Sequence, residues 1–573
     1  MNFLRDTTVL ILGLGDSGLA MARWCVRHGA QVSVWDSRAR APQDAALAQT
    51  LPTVQRLTSL SLCGSERGSE SFQLILKSPG LAPHDERIAP LLQHARASGV
   101  AVLGELDLFA RALADLKAEQ GYAPQVLAIT GTNGKTTVTA MTALLVARTG
   151  KTVAMAGNIG PTLLDTLQQQ LDAVSSVQVT APKTEAPETE VAVAVATAAE
   201  PEAGSESEAE ADDDDQPQLP QVWVLELSSF QLEGGGTGVQ GFEPAAATVL
   251  NLTQDHLDWH GGMAAYAAAK ARVFGQRAVM VVNRDDAAVQ ALVPLSAATT
   301  TTMTTTATKA KGAKAAAKPV PRQLLSFGLG APLQPGDFGV VEEGGMAWLV
   351  RALPTDETFK RKKGDPAEDI HLQRLMPADA LRVRGRHNAA NALAALALAT
   401  AIGCPLAPML HGLRDYRGEP HRVQFVQRVD GVDAYDDSKG TNVGATVAAL
   451  AGLGAEQAPG RLLVILGGDG KDQDFSPLVQ PLLRHARAVA TIGRDAGRIE
   501  ETLALQADTV ALAVQRFASL QDATAWCMGQ ARNGDAVLLS PACASLDMFD
   551  NYAHRARVFV AAVQAWAADR GQA

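Results

Sequence analysis

Between the apolar run Val126–Ile129 and a stretch rich in Ala, Thr and Leu, the chain reads Thr130-Gly131-Thr132-Asn133-Gly134-Lys135-Thr136-Thr137. No other feature limits the fold as strongly. A glycine turn between a strand and a helix lets successive backbone N–H groups wrap phosphate oxygens. The lysine after it neutralises β and γ charges, and the next hydroxyl can reach magnesium. The spacing departs from the general phosphate-loop pattern, because Ile129 rather than glycine stands five residues before Gly134. A strand feeding such a loop and then a helix is the repeating unit of a parallel sheet covered on both faces, which predicts α/β architecture.

The remaining sequence repeats this alternation. Apolar runs at Val9–Leu12, Gln31–Trp35, Leu74–Leu76, Val222–Leu227, Ala246–Leu250, Val279–Val282, Leu462–Leu466 and Ala536–Leu539 predict strands between helical stretches. The first is followed by Gly13-Leu14-Gly15-Asp16-Ser17-Gly18, a helical stretch to His28, and Asp36 at the end of the next strand. That layout fits a turn that approaches a diphosphate while the acid meets a ribose or base edge. NAD(P), FAD and a UDP-sugar all satisfy it. A chain with this turn and a separate ATP loop is suited to coupling two ligands rather than to passing hydride.

At 573 residues and 47% hydrophobic, the chain is too long for one core and predicts three domains. Its net charge of −11 is local: residues 183–215 hold eight Glu, four Asp and one Lys. The surface elsewhere is balanced, so a basic nucleic-acid face is not expected. Residues near 173–220 and 297–322 are low in branched and aromatic side chains and predict exposed, disordered insertions; Lys360–Lys363 predicts a solvated loop. The five cysteines form no ligand spacing and fit a reduced, cytoplasmic chain without structural zinc. The uncharged run 388–413 contains Asn388, Asn391 and Pro405, which predicts a buried helix and its exit loop rather than a membrane span.

Further polar clusters follow apolar strands or open helices, where loops line a cleft. Glu226 lies in Leu225-Glu226-Leu227-Ser228-Ser229-Phe230-Gln231, and His256 in Asp255-His256-Leu257-Asp258. Beside a phosphate loop, a carboxylate and an imidazole are placed to hold Mg²⁺. Gly385–Asn391, Pro420-His421-Arg422, Asp436–Asn442, Gly467–Lys471 and Ser540–Asp547 complete the set. Any single one could be a turn, and Asp437-Ser438 could simply cap the following helix. The bare chemistry also leaves a dehydrogenase or a nucleotide-gated binding protein open.

Taken with Lys270, in Tyr266-Ala267-Ala268-Ala269-Lys270, these motifs resemble the Mur ligase family over nearly the whole chain, the two low-complexity segments excepted. The Asp437-Ser438-Lys439-Gly440-Thr441-Asn442 and Ser540–Asp547 runs are similar to the D-glutamate-adding branch. The resemblance implies an N-terminal Rossmann-like domain (1–103), a central P-loop ATPase domain (104–418) carrying both insertions, and a C-terminal Rossmann-like domain (419–573). It implies a cytoplasmic monomer that uses ATP and two Mg²⁺ ions to join D-glutamate to UDP-N-acetylmuramoyl-L-alanine through an acyl phosphate, with no nucleic-acid partner and no membrane insertion. Sibling ligases using meso-diaminopimelate, L-lysine or L-alanine are the closest rivals.

Residue by residue, the resemblance gives Asp16, Ser17, Asp36, Ser37, Arg38, Ser78 and Asn158 to the UDP-substrate. MgATP falls to the loop Gly131, Thr132, Asn133, Gly134, Lys135, Thr136 and Thr137 with Asn391, Arg422 and Asp437. The metals fall to Thr136, Glu226, His256 and Lys270, the last through a carbamate on its amine. D-Glutamate falls to Lys439, Thr441, Lys471, Ser545, Leu546 and Tyr552. Lys135, Glu226, His256, Lys270 and Lys439 are the expected catalytic set. Two departures stand out. Asp436 replaces the family's Asn, an added carboxylate that would weaken D-glutamate binding if it faced the site. Ala556 replaces a Gly after Arg555, removing backbone freedom there.

Overall fold

A computed structural model describes residues 2–60, 72–158, 160–180, 218–234, 239, 241–294, 322–355, 369–383, 385–505 and 512–572. Both low-complexity insertions, in the main, and Lys360–Lys363 lie outside these residues. The fold is α/β in three domains, each built on its own sheet.

The first sheet runs, in spatial order, Gln55–Leu57, Gln31–Trp35, Thr8–Leu12, Leu74–Lys77 and Ala101–Leu103, all parallel. Val9, Leu10, Ile11 and Leu12 are wholly buried, as strands covered on both faces require. Strand order reverses between Thr8–Leu12 and Leu74–Lys77, so the loops leaving these two strands diverge and open a crevice. Gly13–Ser17 and Ser78–Leu81 occupy it.

The second sheet has nine strands: Ile370–Pro377, Met346–Pro354, Phe338–Glu343, Leu324–Phe327, Val279–Asn283, Ala246–Val249, Gln125–Thr130, Val222–Glu226 and Val153–Gly157. The first two of these pair antiparallel, extending the sheet past its parallel part. Gln125–Thr130 lies between Ala246–Val249 and Val222–Glu226, so the phosphate loop leaves the sheet flanked by Glu226 and by Leu250-Asn251. Helix Lys135–Ala147 follows and packs on helix Arg386–Ala401, which buries Ala392 through Ala399. The run 388–413 forms two helices rather than a helix and exit loop: Gly403, at φ 81°, follows the first, and Pro405 is the N-cap of a second, Leu406–Asp415.

The third sheet runs Gln424–Val429, Val432–Asp436, Ala536–Leu539, Leu462–Gly467, Ala486–Ile492 and Ala513–Arg516, parallel except for the first pair. Because Val432–Asp436, Ala536–Leu539 and Leu462–Gly467 are neighbours, the three polar segments that follow them emerge side by side. Helix Val443–Glu456 is capped by Asn442, whose Oδ1 accepts from Ala445 N at 2.9 Å, and not by Asp437-Ser438. Cys25, Cys404, Cys527 and Cys543 are unpaired and buried. Among the described residues no helix is long and apolar enough to cross a membrane.

Candidate active site

The crevice of the first sheet opens into a cleft of about 540 Å³ against the central domain. All seven residues expected to meet the UDP-substrate, Asp16, Ser17, Asp36, Ser37, Arg38, Ser78 and Asn158, line it. Two glycines make the close approach possible. A Cβ on Gly13 (φ 94°) would sit 2.8 Å from Ser78 Cβ, and one on Gly18 would sit 2.0 Å from the Gly13 carbonyl oxygen. Asp36 is nearly buried and organises this wall: Oδ2 accepts from Leu14 N at 2.7 Å, and Oδ1 from Arg38 N at 2.8 Å and Arg38 Nε at 2.9 Å. Burial works against its charge, yet the Arg38 guanidinium and the two N–H groups hold its carboxyl far below the usual range. Asp85, Arg87, Thr162 and Gln231 also line the cleft. Sequence reasoning missed Asp85 and Arg87, since an i, i+2 Asp–Arg pair reads as a solvated turn, and gave no role to Thr162 or to Gln231, although Gln231 ends a motif it singled out.

Asn158 joins this cleft to the phosphate loop. Its Nδ2 donates to Glu226 Oε1 at 2.9 Å, while Glu226 Oε2 is buried with no hydrogen-bond partner. In the loop, Gly134 (φ 82°) is required because a Cβ there would lie 2.8 Å from Asn391 Oδ1. Lys135 Nζ donates to the carbonyls of Gly131 and Thr132 at 2.9 and 2.8 Å. Burial lowers its pKa, opposed by the charges of Glu226 and Asp255. Lys270 Nζ, itself buried, donates to Gly131 O at 2.9 Å and Thr130 Oγ1 at 3.3 Å; burial, then Lys135, disfavours its ammonium form strongly. His256 has a left-handed backbone (φ 54°) and a pKa lowered to about 4, mainly by burial, which keeps its imidazole neutral with a lone pair to offer. Asp255 Oδ1 is likewise buried without a hydrogen-bond partner. Two buried carboxylate oxygens that accept no hydrogen bond and a neutral imidazole suit a hard divalent cation. Among the described residues no group of three or more His, Cys, Asp or Glu side chains is gathered to hold a metal ion by itself.

The C-terminal domain is closed onto this loop. Asn133 and Asn442 exchange amide hydrogen bonds at 3.2 and 2.9 Å. Arg422 Nη2 donates to Thr136 Oγ1 at 2.8 Å, Lys439 Nζ reaches the same oxygen at 3.4 Å, and Lys471 Nζ lies 3.9 Å from Asp255 Oδ1. Asn391, Arg422 and Asp437, three of the expected ATP contacts, line a cavity with Asn133, Gly134 and Thr137. At about 80 Å³ it is well below the size of a nucleotide pocket, so the C-terminal domain must draw back to admit one. Asp437 is held by Ser540 Oγ, which donates to Oδ2 at 2.7 Å, and burial raises its pKa to about 7.

The expected D-glutamate residues fall on the three adjoining segments. Asp469 and Ala544 pair through both backbone hydrogen bonds, at 3.0 and 2.8 Å, which draws the Lys471 and Ser545 segments together. Lys439 Nζ stands 5.3 Å from the Tyr552 ring centroid, and Thr441 N donates to Lys439 O at 2.9 Å. Leu546 stands apart, 73% exposed. Asp436 does not join this group as a free charge: at 1% exposure its Oδ2 meets His421 Nδ1 at 2.6 Å and its Oδ1 accepts from Ser438 N at 2.9 Å. Buried Arg555 donates to Ser438 Oγ, Ser438 O and Cys543 O at 3.0, 2.7 and 3.1 Å, pinning two motifs to each other. Ala556 is buried inside helix Tyr552–Ala568, where a glycine's freedom is not needed.

A phosphate-loop domain flanked by a nucleotide-cleft domain and a closing domain defines a class of ATP-driven enzymes that condense two substrates between domains. Three family models match in succession: the MurD-like N-terminal domain of Mur ligases over residues 7–104, the Mur ligase middle domain over 129–324, and the Mur ligase glutamate ligase domain over 421–543. The chain belongs to the Mur ligase family. Curated relatives named UDP-N-acetylmuramoylalanine–D-glutamate ligase match it end to end: that of Albidiferax ferrireducens is 53% identical over 100% of this chain and 99% of its own length. Those of a Polaromonas species and of Burkholderia pseudomallei are 48% and 49% identical, covering 100% and 98% of both chains. Among solved structures, the MurF ligase of Thermotoga maritima in complex with ADP is similar in fold, with TM-score 0.51, 14% identity, and coverage of 99% of this chain and 96% of that one.

Proposed function

We propose that the chain joins the amine of D-glutamate to the L-alanine carboxylate of UDP-N-acetylmuramoyl-L-alanine at the expense of ATP, a step of peptidoglycan precursor synthesis, as a cytoplasmic monomer divided into domains at 103/104 and 418/419. The observation that carries this reading is Asn158, which lines the UDP cleft and binds Glu226 beside the phosphate loop. A substrate carboxylate extending from the cleft would meet the γ-phosphate there. A carboxylate is a poor electrophile, so the γ-phosphoryl is first transferred to it, giving an acyl phosphate and ADP. The amine then attacks the acyl carbon and inorganic phosphate leaves.

This chain's residues serve those steps by holding charge and geometry. Lys135 and Arg422 would turn from their present partners, the loop carbonyls and Thr136, onto the phosphates. Lys439 and Lys471 would grip the two carboxylates of D-glutamate, with Ser545 and Thr441 adding hydrogen bonds and Leu546 and Tyr552 shaping the pocket. Thr136, Glu226, His256 and a carbamate on Lys270 would hold two Mg²⁺ ions, which supply charge neutralisation at the phosphates. An amine whose ammonium form is disfavoured is the form that adds CO₂, which supports the carbamate.

The test is ATP-dependent phosphate release with UDP-N-acetylmuramoyl-L-alanine and D-glutamate, L-glutamate, L-alanine, L-lysine or meso-diaminopimelate in turn. Release with D-glutamate alone is expected. Release with another amino acid would overturn the substrate, and no release with any would overturn the reaction.

A further inference from the structure

Lys77 ends strand Leu74–Lys77 at 1% exposure. Among the described residues no carboxylate lies within ion-pair distance of it; burial lowers its pKa to about 8, opposed by the more distant charge of Glu233. A buried ammonium without an ion-pair partner is costly, and a methionine would fill the same space at less expense. Its donors are nevertheless well used. Nζ donates to Leu81 O at 2.9 Å and Ser78 O at 3.4 Å, and it lies 5.7 Å from the ring centroid of Trp259 in the central domain.

Those two carbonyls bracket the turn Ser78-Pro79-Gly80-Leu81, all four residues of which line the UDP cleft. The turn has two backbone ties, Ser78 N to Leu12 O at 2.8 Å and Leu81 N to Ser78 O at 3.2 Å, and Pro79 can donate none. Lys77 adds the tie at Leu81 O, and it is this turn that packs onto Gly13 where the diphosphate approaches. On the other side, Trp259 is fixed by its Nε1 donating to Glu233 Oε2 at 3.0 Å and by its ring, 4.3 Å from that of Phe230. Phe230 and Glu233 share helix Ser229–Glu233 with Gln231, a residue of the opposite cleft wall. One ammonium therefore touches both walls' supports.

We propose that Lys77 is a positioning residue for the UDP-substrate: its buried ammonium locks the Ser78–Leu81 turn and registers it against the central domain through Trp259. This rests on the reading of the cleft given above.

The experiment is calorimetric binding of UDP-N-acetylmuramoyl-L-alanine, and separately of ADP, to the full chain and its K77M and K77R variants. Loss of a charge-assisted tie should weaken UDP-substrate binding by about tenfold in K77M, with ADP binding unchanged and a partial recovery in K77R. In turnover the KM for the UDP-substrate should rise in step while kcat changes by less than about twofold. UDP-substrate binding by K77M within about twofold of the native chain would overturn the proposal. If K77M does not fold, Trp259→Leu removes both the ring beside Lys77 and the Glu233 hydrogen bond, whereas Trp259→Phe removes the hydrogen bond and keeps a ring: UDP-substrate binding weaker in the Leu variant than in the Phe variant supports the proposal, and equal binding overturns it. Because binding needs no turnover, a chain that binds the UDP-sugar yet releases no phosphate with D-glutamate would refute the reaction while the K77M comparison still decides Lys77.

Discussion

Glu105 opens helix Glu105–Gln120, which leaves the first sheet for the second, and it is buried between Ser17 of the UDP cleft and the start of helix Leu163–Thr180. Its Oε1 accepts from Leu164 N at 3.1 Å, and Oε2 is buried without a partner. Burial raises its pKa from 4.5 to about 7; the Ser17 hydroxyl and the Leu164 and Leu163 amides oppose the rise, and Asp165 adds to it. The native chain therefore binds more protons here than the unfolded chain between pH 4.5 and about 7, and it loses stability as pH climbs through that window. Each tenfold gain in proton affinity on folding is worth about 1.4 kcal/mol, so the loss above pH 7 comes to about 3 kcal/mol. Glu105→Gln keeps the acceptor for Leu164 and does not titrate. Its amide adds a pH-independent offset of about 1–3 kcal/mol if the NH₂ finds no partner. The diagnostic is thus the slope: the melting temperature of the variant minus that of the native chain, followed by calorimetry from pH 4.5 to 8.5, should rise by several degrees with pH. A difference that stays flat within a degree would refute the reasoning, whatever its sign.

Arg422→Lys removes the planar fork, and phosphate release should fall more than about tenfold while the affinity for the UDP-substrate holds. Asn133→Ala and Asn442→Ala should each raise the KM for ATP or lower kcat, and a double-mutant cycle on kcat/KM should show coupling of about 1 kcal/mol; strict additivity would mean that the pair is not made during turnover. Asp436→Asn should leave the KM for D-glutamate within about twofold, because the carboxylate faces His421 and Ser438; a fall of fivefold or more would show that it had been repelling the substrate.

What the sequence made legible was local. A glycine turn between strand and helix is a contiguous signal, which is why Gly13–Ser17 and Gly131–Thr137 could be assigned and why the strands before them were found within a residue or two. The later motifs were legible as polar runs after apolar ones, but their mutual placement follows from strand order, which no local pattern encodes. The antiparallel strands Met346–Pro354 and Ile370–Pro377 escaped because their half-exposed faces mix apolar and charged residues. Glu105, Lys77 and Arg555 escaped for a different reason. A charged residue in a sequence reads as surface, and only the packing of another domain or segment over it reveals that it is buried and what it ties. Asp436 and Asp437 show the same limit side by side. Adjacent in sequence, they serve separate partners, His421 and Ser540.

The clasp between Asn133 and Asn442 has a corollary. An amide pair carries no net charge, and Arg422 and Lys439 meet Thr136 through a neutral hydroxyl. Of these contacts between the C-terminal domain and the central domain around the phosphate loop, only Lys471 with Asp255, at 3.9 Å, is an ion pair among the described residues. Screening by dissolved ions acts on separated charges and barely touches short hydrogen bonds between uncharged groups. The asparagine clasp itself should therefore respond little to salt, and a double-mutant cycle on Asn133 and Asn442 repeated at low and high ionic strength would give the same coupling.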